Sequence, residues 1–498
     1  MKKYIVPFLI IIFSFYLVVF TSQKIFEKIP HSQDEVAYLF QAKIFRSGQI
    51  YLESYPKEIR RFFDHEFIVN NGHWYGKYSP GESIFLAIGY LFDIPWLINP
   101  IFSLLSITIL FLIAKNFFSY HVAILTLILF SISPFFILIS GSYLSHPSAL
   151  FFTLLFFYSI FSTYQNKYKN NLFDKLSAIS IGMVFLIRPF NSIALLIIFL
   201  INYFIKFLSI KEFSNRIKAL HIFLKLIILV TSFILIHLIY NKILTGDYTK
   251  FPHLSYFKND FIGFGSRGVE WDQNFTPRQA VDNIITNYIA FKELFLFIPN
   301  FILIFFVFLS FFRKNFYLPI ILFLFFLFQV ISYFFYFHPG TFLGPRYWFE
   351  ASWTIALLFS LGVSNLLHFF KKSINQKYLN LIYFILSFVF YIFILKKDTK
   401  LLPTYKGHNG ITAMSILPIK KPALILVEGE KNWQTYGQFF INFDPTKESS
   451  PVIFARNNAI HNVPKNLPPL DNNLLIKYFP KRQIYYFKEG TLENFIVD

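Results

Sequence analysis

Two adjacent carboxylates, Asp34 and Glu35, follow soon after the first membrane-length apolar run of the chain, 4–20. Carboxylates are costly near hydrocarbon. They persist there when they bind something, move a proton or face a water-filled cavity. In the segment 31–49, a helix begun at Asp34 puts Val36, Leu39, Phe40 and Phe45 near one face, which predicts a helix lying along a membrane surface. Ser32 or Asp34 can cap its first amides, and the helix dipole favours a carboxylate at that end. An ordinary N-cap therefore accounts for the pair as well as chemistry does.

Three cations stand at the edges of later apolar runs. Lys77 lies in Trp74-Tyr75-Gly76-Lys77-Tyr78-Ser79-Pro80-Gly81-Glu82, an ammonium among aromatics and turn-formers that can grip a phosphate at headgroup level or simply anchor the chain at the interface. Arg188, in Ile187-Arg188-Pro189, and Arg346, in Gly344-Pro345-Arg346-Tyr347-Trp348-Phe349-Glu350, are guanidiniums placed where charges line polar cavities, and their planar fork suits phosphate oxygens. Arg346 could equally pair with Glu350 four residues on. His146, Tyr347 and Glu350 are weaker candidates for a substrate pocket, since a lone ionisable group at a helix end is more often a cap or a packed residue.

Other chemistries find little support. Asp64-His65-Glu66 with His73 matches no zinc spacing. The glycines of 241–293 form no dinucleotide or phosphate-loop pattern. The net charge of +19, from 46 basic and 27 acidic residues, is dispersed among loops between apolar runs, which argues for topology and anionic lipid and against nucleic acid.

These residues need a membrane to hold them. The 498-residue chain is 55% hydrophobic, 21% aromatic and only 15% charged, far more apolar than a soluble protein. Its apolar runs have helix-crossing length, and barrel strands would be shorter and alternating. The first run lacks a small-residue cleavage site, so it reads as a retained helix. With no cysteine there are no disulfides and no thiolate metal sites.

The expected architecture is an all-α polytopic domain, 1–398, of eleven crossings near 4–22, 83–116, 120–140, 146–164, 176–188, 190–208, 219–240, 294–312, 317–337, 349–370 and 378–395. Pro95 and Pro100 should break the long stretch 83–116 into a partly inserted helix and one full crossing. Parity then collects Lys2, Lys3, Lys115, Lys167, Lys169, Lys175, Lys206, Lys211, Arg216, Lys218, Arg313, Lys314, Lys371, Lys372 and Lys377 on one side, the cytoplasm by the positive-inside rule. The polar clusters fall on the other side, in the loops 23–82 and 241–293 and at the later helix ends. Residues 399–498, punctuated by prolines around strand-like runs such as 423–427, read as a small α/β or β-rich outer domain.

In order and spacing these pieces resemble the GT-C superfamily of polytopic glycosyltransferases, particularly the family 39 relatives that include protein O-mannosyltransferases and the lipid A aminoarabinose transferase. The resemblance rests on Asp34-Glu35 after the first helix, Tyr75-Gly76-Lys77-Tyr78-Ser79-Pro80-Gly81 before the second, Ser145-His146-Pro147, Arg188-Pro189 and the stretch 344–350. It spans about residues 1–395. It implies a sugar taken from a polyprenyl-phosphate donor and placed on a protein, lipid or glycan acceptor on the outer side of the membrane, by single displacement with inversion; a bacterial inner membrane is the expected location, because the lack of cysteine and the tail give no sign of a eukaryotic retention signal. In that scheme Asp34 is the general base, its pKa raised by partial removal from water, and Glu35 orients the acceptor or helps to hold a divalent cation. Lys77, Arg188 and Arg346 then stabilise the departing phosphate.

Two other classes compete. A transporter or flippase for a lipid-linked glycan would line a path with buried charge, although such proteins carry paired repeats and broken helices at the midplane. A membrane-anchored binding protein would leave the work to the tail.

Overall fold

The computed structural model describes residues 4–165, 171–267, 274–296, 298–312, 316–369, 385, 392, 419–428, 443–459, 470–488 and 491–494. Helices dominate: α1 (Ile5–Phe20), α2 (Gln33–Arg46), α3 (Pro80–Leu91), α4 (Ile98–Phe117), α5 (Tyr120–Ser131), α6 (Pro134–Gly141), α7 (His146–Gln165) and α8 (Asn171–Ile187). They continue with α9 (Pro189–Ser209), α10 (Phe213–Thr245), α11 (His253–Tyr256), α12 (Pro277–Phe291), α13 (Asn300–Leu309), α14 (Tyr317–Phe334) and α15 (Phe349–Phe369).

Among the described residues, seven helical stretches are long and apolar enough to cross a membrane, or nine if the bent pairs α5–α6 (61°) and α12–α13 (87°) each count once. The chain is thus an integral membrane protein with fewer clear crossings than the eleven expected from hydropathy. One reason is that α8 has 17 residues, short for an upright span. The helix expected over 378–395 lies outside the described residues, apart from 385 and 392.

The stretch 83–116 divides at its first proline. A 3₁₀ turn at Pro95–Leu97 separates α3 from α4, and Gly89 permits the bend, because a Cβ there would stand 2.7 Å from Pro95 and Ile98. Ser22, past the end of α1, donates to the Trp96 carbonyl (3.2 Å), while Lys115 at the far end of α4 lies 4.7 Å from the Tyr4 ring. α1 and α4 are therefore antiparallel.

The same up-and-down logic carries the rest. Pairs α7–α8, α9–α14 and α14–α15 pack together, and α10 lies against α8, where Gly182 leaves room for Phe233. One end of the bundle consequently gathers the starts of α3, α4, α7, α9 and α15 with the ends of α1, α8, α10 and α14. Residues far apart in sequence meet there.

Over that end sits α2. Its N-cap is Ser32, whose hydroxyl accepts from the Glu35 amide (3.4 Å), and its last turn carries Lys43 and Arg46 to complement the dipole. One face, with Tyr38, Leu39 and Ala42, packs against Leu86, Ala87 and Tyr143. The other face, with Val36, Phe40 and Ile44, joins a three-stranded antiparallel sheet ordered β1 (Leu52–Glu53), β3 (His73–Gly76), β2 (Ile68–Asn70). A second, two-stranded ribbon pairs β4 (Gly265–Ser266) with β5 (Asn274–Phe275).

The described part of the tail forms a four-stranded sheet ordered β7 (Val452–Arg456), β6 (Ala423–Val427), β8 (Gln483–Lys488), β9 (Thr491–Asn494). Its first three strands are parallel, and α16 (Asn472–Tyr478) precedes β8. All five residues of β6 are buried, as an uninterrupted apolar run at the centre of a sheet requires. The sheet shares one hydrophobic core with α2 and the β1–β3 unit. Lys43 donates to the Phe443 carbonyl (3.0 Å) and Arg456 to the Asp64 carbonyl (2.6 Å).

Candidate active site

Asp34, in the first turn of α2, does not cap the helix. Its Oδ1 accepts from the Tyr78 hydroxyl, and its Oδ2 lies 3.2 Å from Arg346 Nη1. The Arg346–Glu350 pairing allowed by sequence spacing gives way to this longer-range pair. Burial by itself would raise the Asp34 carboxyl, but Arg346, Lys77 and the Tyr78 hydrogen bond outweigh it and hold it at about 2. The expectation of an elevated pKa is reversed, because the site supplies two cations where sequence reasoning weighed only desolvation.

Lys77 is 7% exposed, and its Nζ sits 3.4 Å from the centroid of Phe67, with Tyr78, Tyr256 and Phe257 within 5.9 Å. Among the described residues the ammonium has no hydrogen bond and no ion pair. Its three donors are left open, and burial pulls its pKa below the usual lysine value against the opposing pull of Asp260 and Asp34. A buried ammonium without an oxygen partner is an uncommon expense for a fold.

A second cluster lies alongside. Glu350, fully buried at the start of α15, accepts from His146 Nδ1 (2.9 Å) and lies 3.2 Å from Arg188 Nε. Arg188, between α8 and α9, also donates to Ser145 Oγ (3.2 Å) and to the Tyr333 hydroxyl (3.1 Å). Tyr347 joins the two clusters: its ring stacks on Tyr333 at 4.3 Å and stands 5.5 Å from the Arg346 and 5.9 Å from the Arg188 guanidinium carbon. Tyr38 makes a second link, sharing a hydrogen bond with Ser145 (2.9 Å) while stacking on Tyr78 at 4.5 Å.

Thus Asp34, Lys77, Arg188, Arg346, His146, Tyr347 and Glu350 all come to one end of the bundle. Glu35 is the exception in orientation. Its Oε1 accepts from Ser32 (2.9 Å) and its Oε2 from the Tyr143 amide (3.1 Å), so it ties α2 to the turn that carries Ser145 and His146. The two neighbouring acids turn to different partners. Among the described residues no group of three or more His, Asp or Glu could hold a metal, and His65 and Glu66 engage a backbone carbonyl and Gln33 instead.

Burial raises Glu35 to about 7, partly offset by its hydrogen bonds. The folded chain therefore holds that proton more tightly than the unfolded chain, and stability falls as pH rises from the ordinary carboxyl range through 7. Glu35→Gln keeps one acceptor for the Tyr143 amide and removes the charge. Thermal melts are expected to show the variant matching the wild-type protein at pH 5 and exceeding it at pH 8. Parallel curves at both values would remove Glu35 as the source.

Several members of the site carry no role in the sequence reading. Tyr78 stands beside Lys77 in the quoted loop, yet a tyrosine in an aromatic run reads as interfacial belt. Ser145 stands beside the candidate His146 in Ser145-His146-Pro147 but is given no role of its own, and Tyr333 has no distinguishing neighbours in the chain. Asp260, in the long loop 241–293, accepts from the Tyr336 hydroxyl (3.1 Å) and is signalled by nothing in sequence.

An up-and-down bundle whose polar end lies beneath a surface helix bearing an acid has counterparts of the same fold among solved structures. Among solved structures, ArnT from Cupriavidus metallidurans in the apo state aligns with 96% of this chain and 92% of its own, with a TM-score of 0.59 at 11% identity. The same protein bound to undecaprenyl phosphate aligns over the same shares, with a TM-score of 0.56 at 11% identity. At that identity the likeness concerns the fold. No family model matches the chain, and no curated protein does.

Proposed function

We propose that the protein transfers a sugar from a polyprenyl-phosphate donor to a protein, lipid or glycan acceptor at the extracytoplasmic face of a bacterial inner membrane, by single displacement with inversion. The observation that carries this reading is the buried Lys77 ammonium, unpartnered among the described residues, in the same cluster as an Asp34 carboxylate fixed by Arg346 and Tyr78. A phosphate oxygen satisfies the one while a sugar hydroxyl or acceptor satisfies the other. ArnT, whose fold the chain shares, has been solved with undecaprenyl phosphate.

In this scheme the acceptor oxygen attacks the anomeric carbon, the bond from that carbon to the phosphate oxygen breaks, and its electron pair leaves with the phosphate. Lys77 and Arg346 meet the growing charge, and Arg188 extends the cationic wall. The acceptor proton passes to Asp34. A carboxyl held at about 2 is a poor base at rest, but donor phosphate draws Arg346 and Lys77 toward itself and leaves Asp34 more basic as the donor binds.

Orientation follows from charge: Lys115, Lys175, Lys206, Lys211, Arg216 and Lys218 cluster at the bundle end away from the site, which the positive-inside rule makes cytoplasmic. The tail, 399–498, is then an extracytoplasmic unit. Charges grouped at one end, not strung through the bundle, favour transfer over transport.

The test is release of free polyprenyl phosphate from a panel of synthetic undecaprenyl-phosphate sugars by the full chain in detergent or vesicles. Wild type should cleave at least one donor and Asp34→Asn should not. A chain inert to the whole panel, with and without added glycan acceptors, would sink the reading.

A further inference from the structure

The loop 253–267 is held in shape by one buried guanidinium. Arg267, 2% exposed, donates to the carbonyls of Asn259 (3.1 Å), Phe261 (2.8 Å) and Gly263, and lies 3.9 Å from the Phe261 ring. Asn259 returns a hydrogen bond to the Arg267 carbonyl (3.1 Å), and the Gly263 amide ties the loop to the Phe335 carbonyl at the end of α14 (2.8 Å). Such a staple fixes the backbone of 259–263. The residue thereby presented is Asp260.

Asp260 is 8% exposed, its amide bonded to the Phe257 carbonyl (3.2 Å) and its Oδ1 to the Tyr336 hydroxyl. Phe257 and Tyr256 of the same loop contribute two of the four rings around Lys77. The Asp260 and Asp34 carboxylates both pull the Lys77 ammonium toward its charged form, against the burial that opposes it. No ion pair closes between Asp260 and Lys77, so the carboxylate works at a distance as a counter-charge.

We propose that Asp260 is a positioning residue that tunes donor affinity: a fixed carboxylate, set by the Arg267 staple, that opposes phosphate at Lys77 and so keeps the lipid-phosphate product from being retained. The inference rests on the proposed donor and deepens it. With Lys77 and Arg346 facing Asp34 and Asp260, the resting cluster is close to neutral. A phosphodiester enters such a site on modest attraction, and the more highly charged phosphate left after transfer meets two acids that weaken its hold.

The experiment measures undecaprenyl phosphate binding to the purified full chain by microscale thermophoresis. Asp260→Asn is expected to bind about three- to tenfold more tightly than wild type, the size of a partly screened charge removed near a buried ammonium. Should Asp260→Asn fail to fold, Tyr336→Phe, which frees the Asp260 carboxylate of its hydroxyl partner, should bind more weakly. If wild type binds and Asp260→Asn binds equally or less tightly, or Tyr336→Phe binds equally or more tightly, this inference is overturned while the donor reading stands. If wild type does not bind undecaprenyl phosphate at all, the donor reading falls and takes this one with it.

Discussion

Asp34→Asn is expected to lower sugar transfer by about 10²- to 10⁴-fold, the usual contribution of a positioned proton acceptor. The amide keeps the shape and one acceptor oxygen, so α2 and Tyr78 need not move. What disappears is the charge that answers Arg346, a guanidinium 7% exposed at the base of the cluster. The loss has a stability component whose sign follows from the shift. A carboxyl depressed to about 2 contributes stability that is complete above the ordinary aspartate pKa and lost as pH falls toward 2, on the order of 2 kcal/mol. Melting temperature should therefore fall by several degrees near neutral pH, with the variant still folded. Transfer that survives at the wild-type rate in a folded Asp34→Asn protein would remove Asp34 from the chemistry.

Lys77→Met should move stability and function in opposite directions. The thioether fits among Phe67, Tyr78, Tyr256 and Phe257 as well as the lysine stem does, and the substitution deletes a buried charge that no oxygen answers among the described residues. A higher melting temperature is expected, together with a fall in transfer of about 10²- to 10³-fold, the scale of one lost electrostatic donor to a departing anion. A purely structural lysine would lose stability and keep turnover. Measuring both quantities on one preparation separates the two, and the pair of outcomes matters more than either alone.

What the sequence made legible follows the physics of each element. Apolar runs of helical length announced the bundle, and the strand-like 423–427 announced β6, because both signals are local. The acids and cations stood out for a related reason: charge beside hydrocarbon is conspicuous whatever the fold. Partners were another matter. Arg346 could be given Glu350 by spacing or left for a ligand, and only the return of α15 to the end where α2 begins assigns it to Asp34. The direction of the Asp34 shift was misread on the same account, since desolvation is visible in a sequence and a counter-ion 312 positions away is not. Glu35 looked like a twin of Asp34, but one helical step turns it toward Tyr143. Asp260 was hidden altogether, in a loop whose shape depends on a guanidinium bonding to carbonyls.

The placement of α2 between the bundle and the tail sheet carries an evolutionary corollary. Phe40 packs on Phe443 at 5.1 Å and Trp74 packs on it at 4.8 Å, so the helix bearing the acid is seated partly by the described residues of the tail as well as by the helices below it. Drift at that seam would be felt as a displaced acid. Homologous chains that exchange their tails should therefore change the residues corresponding to Phe40, Lys43 and Trp74 in step.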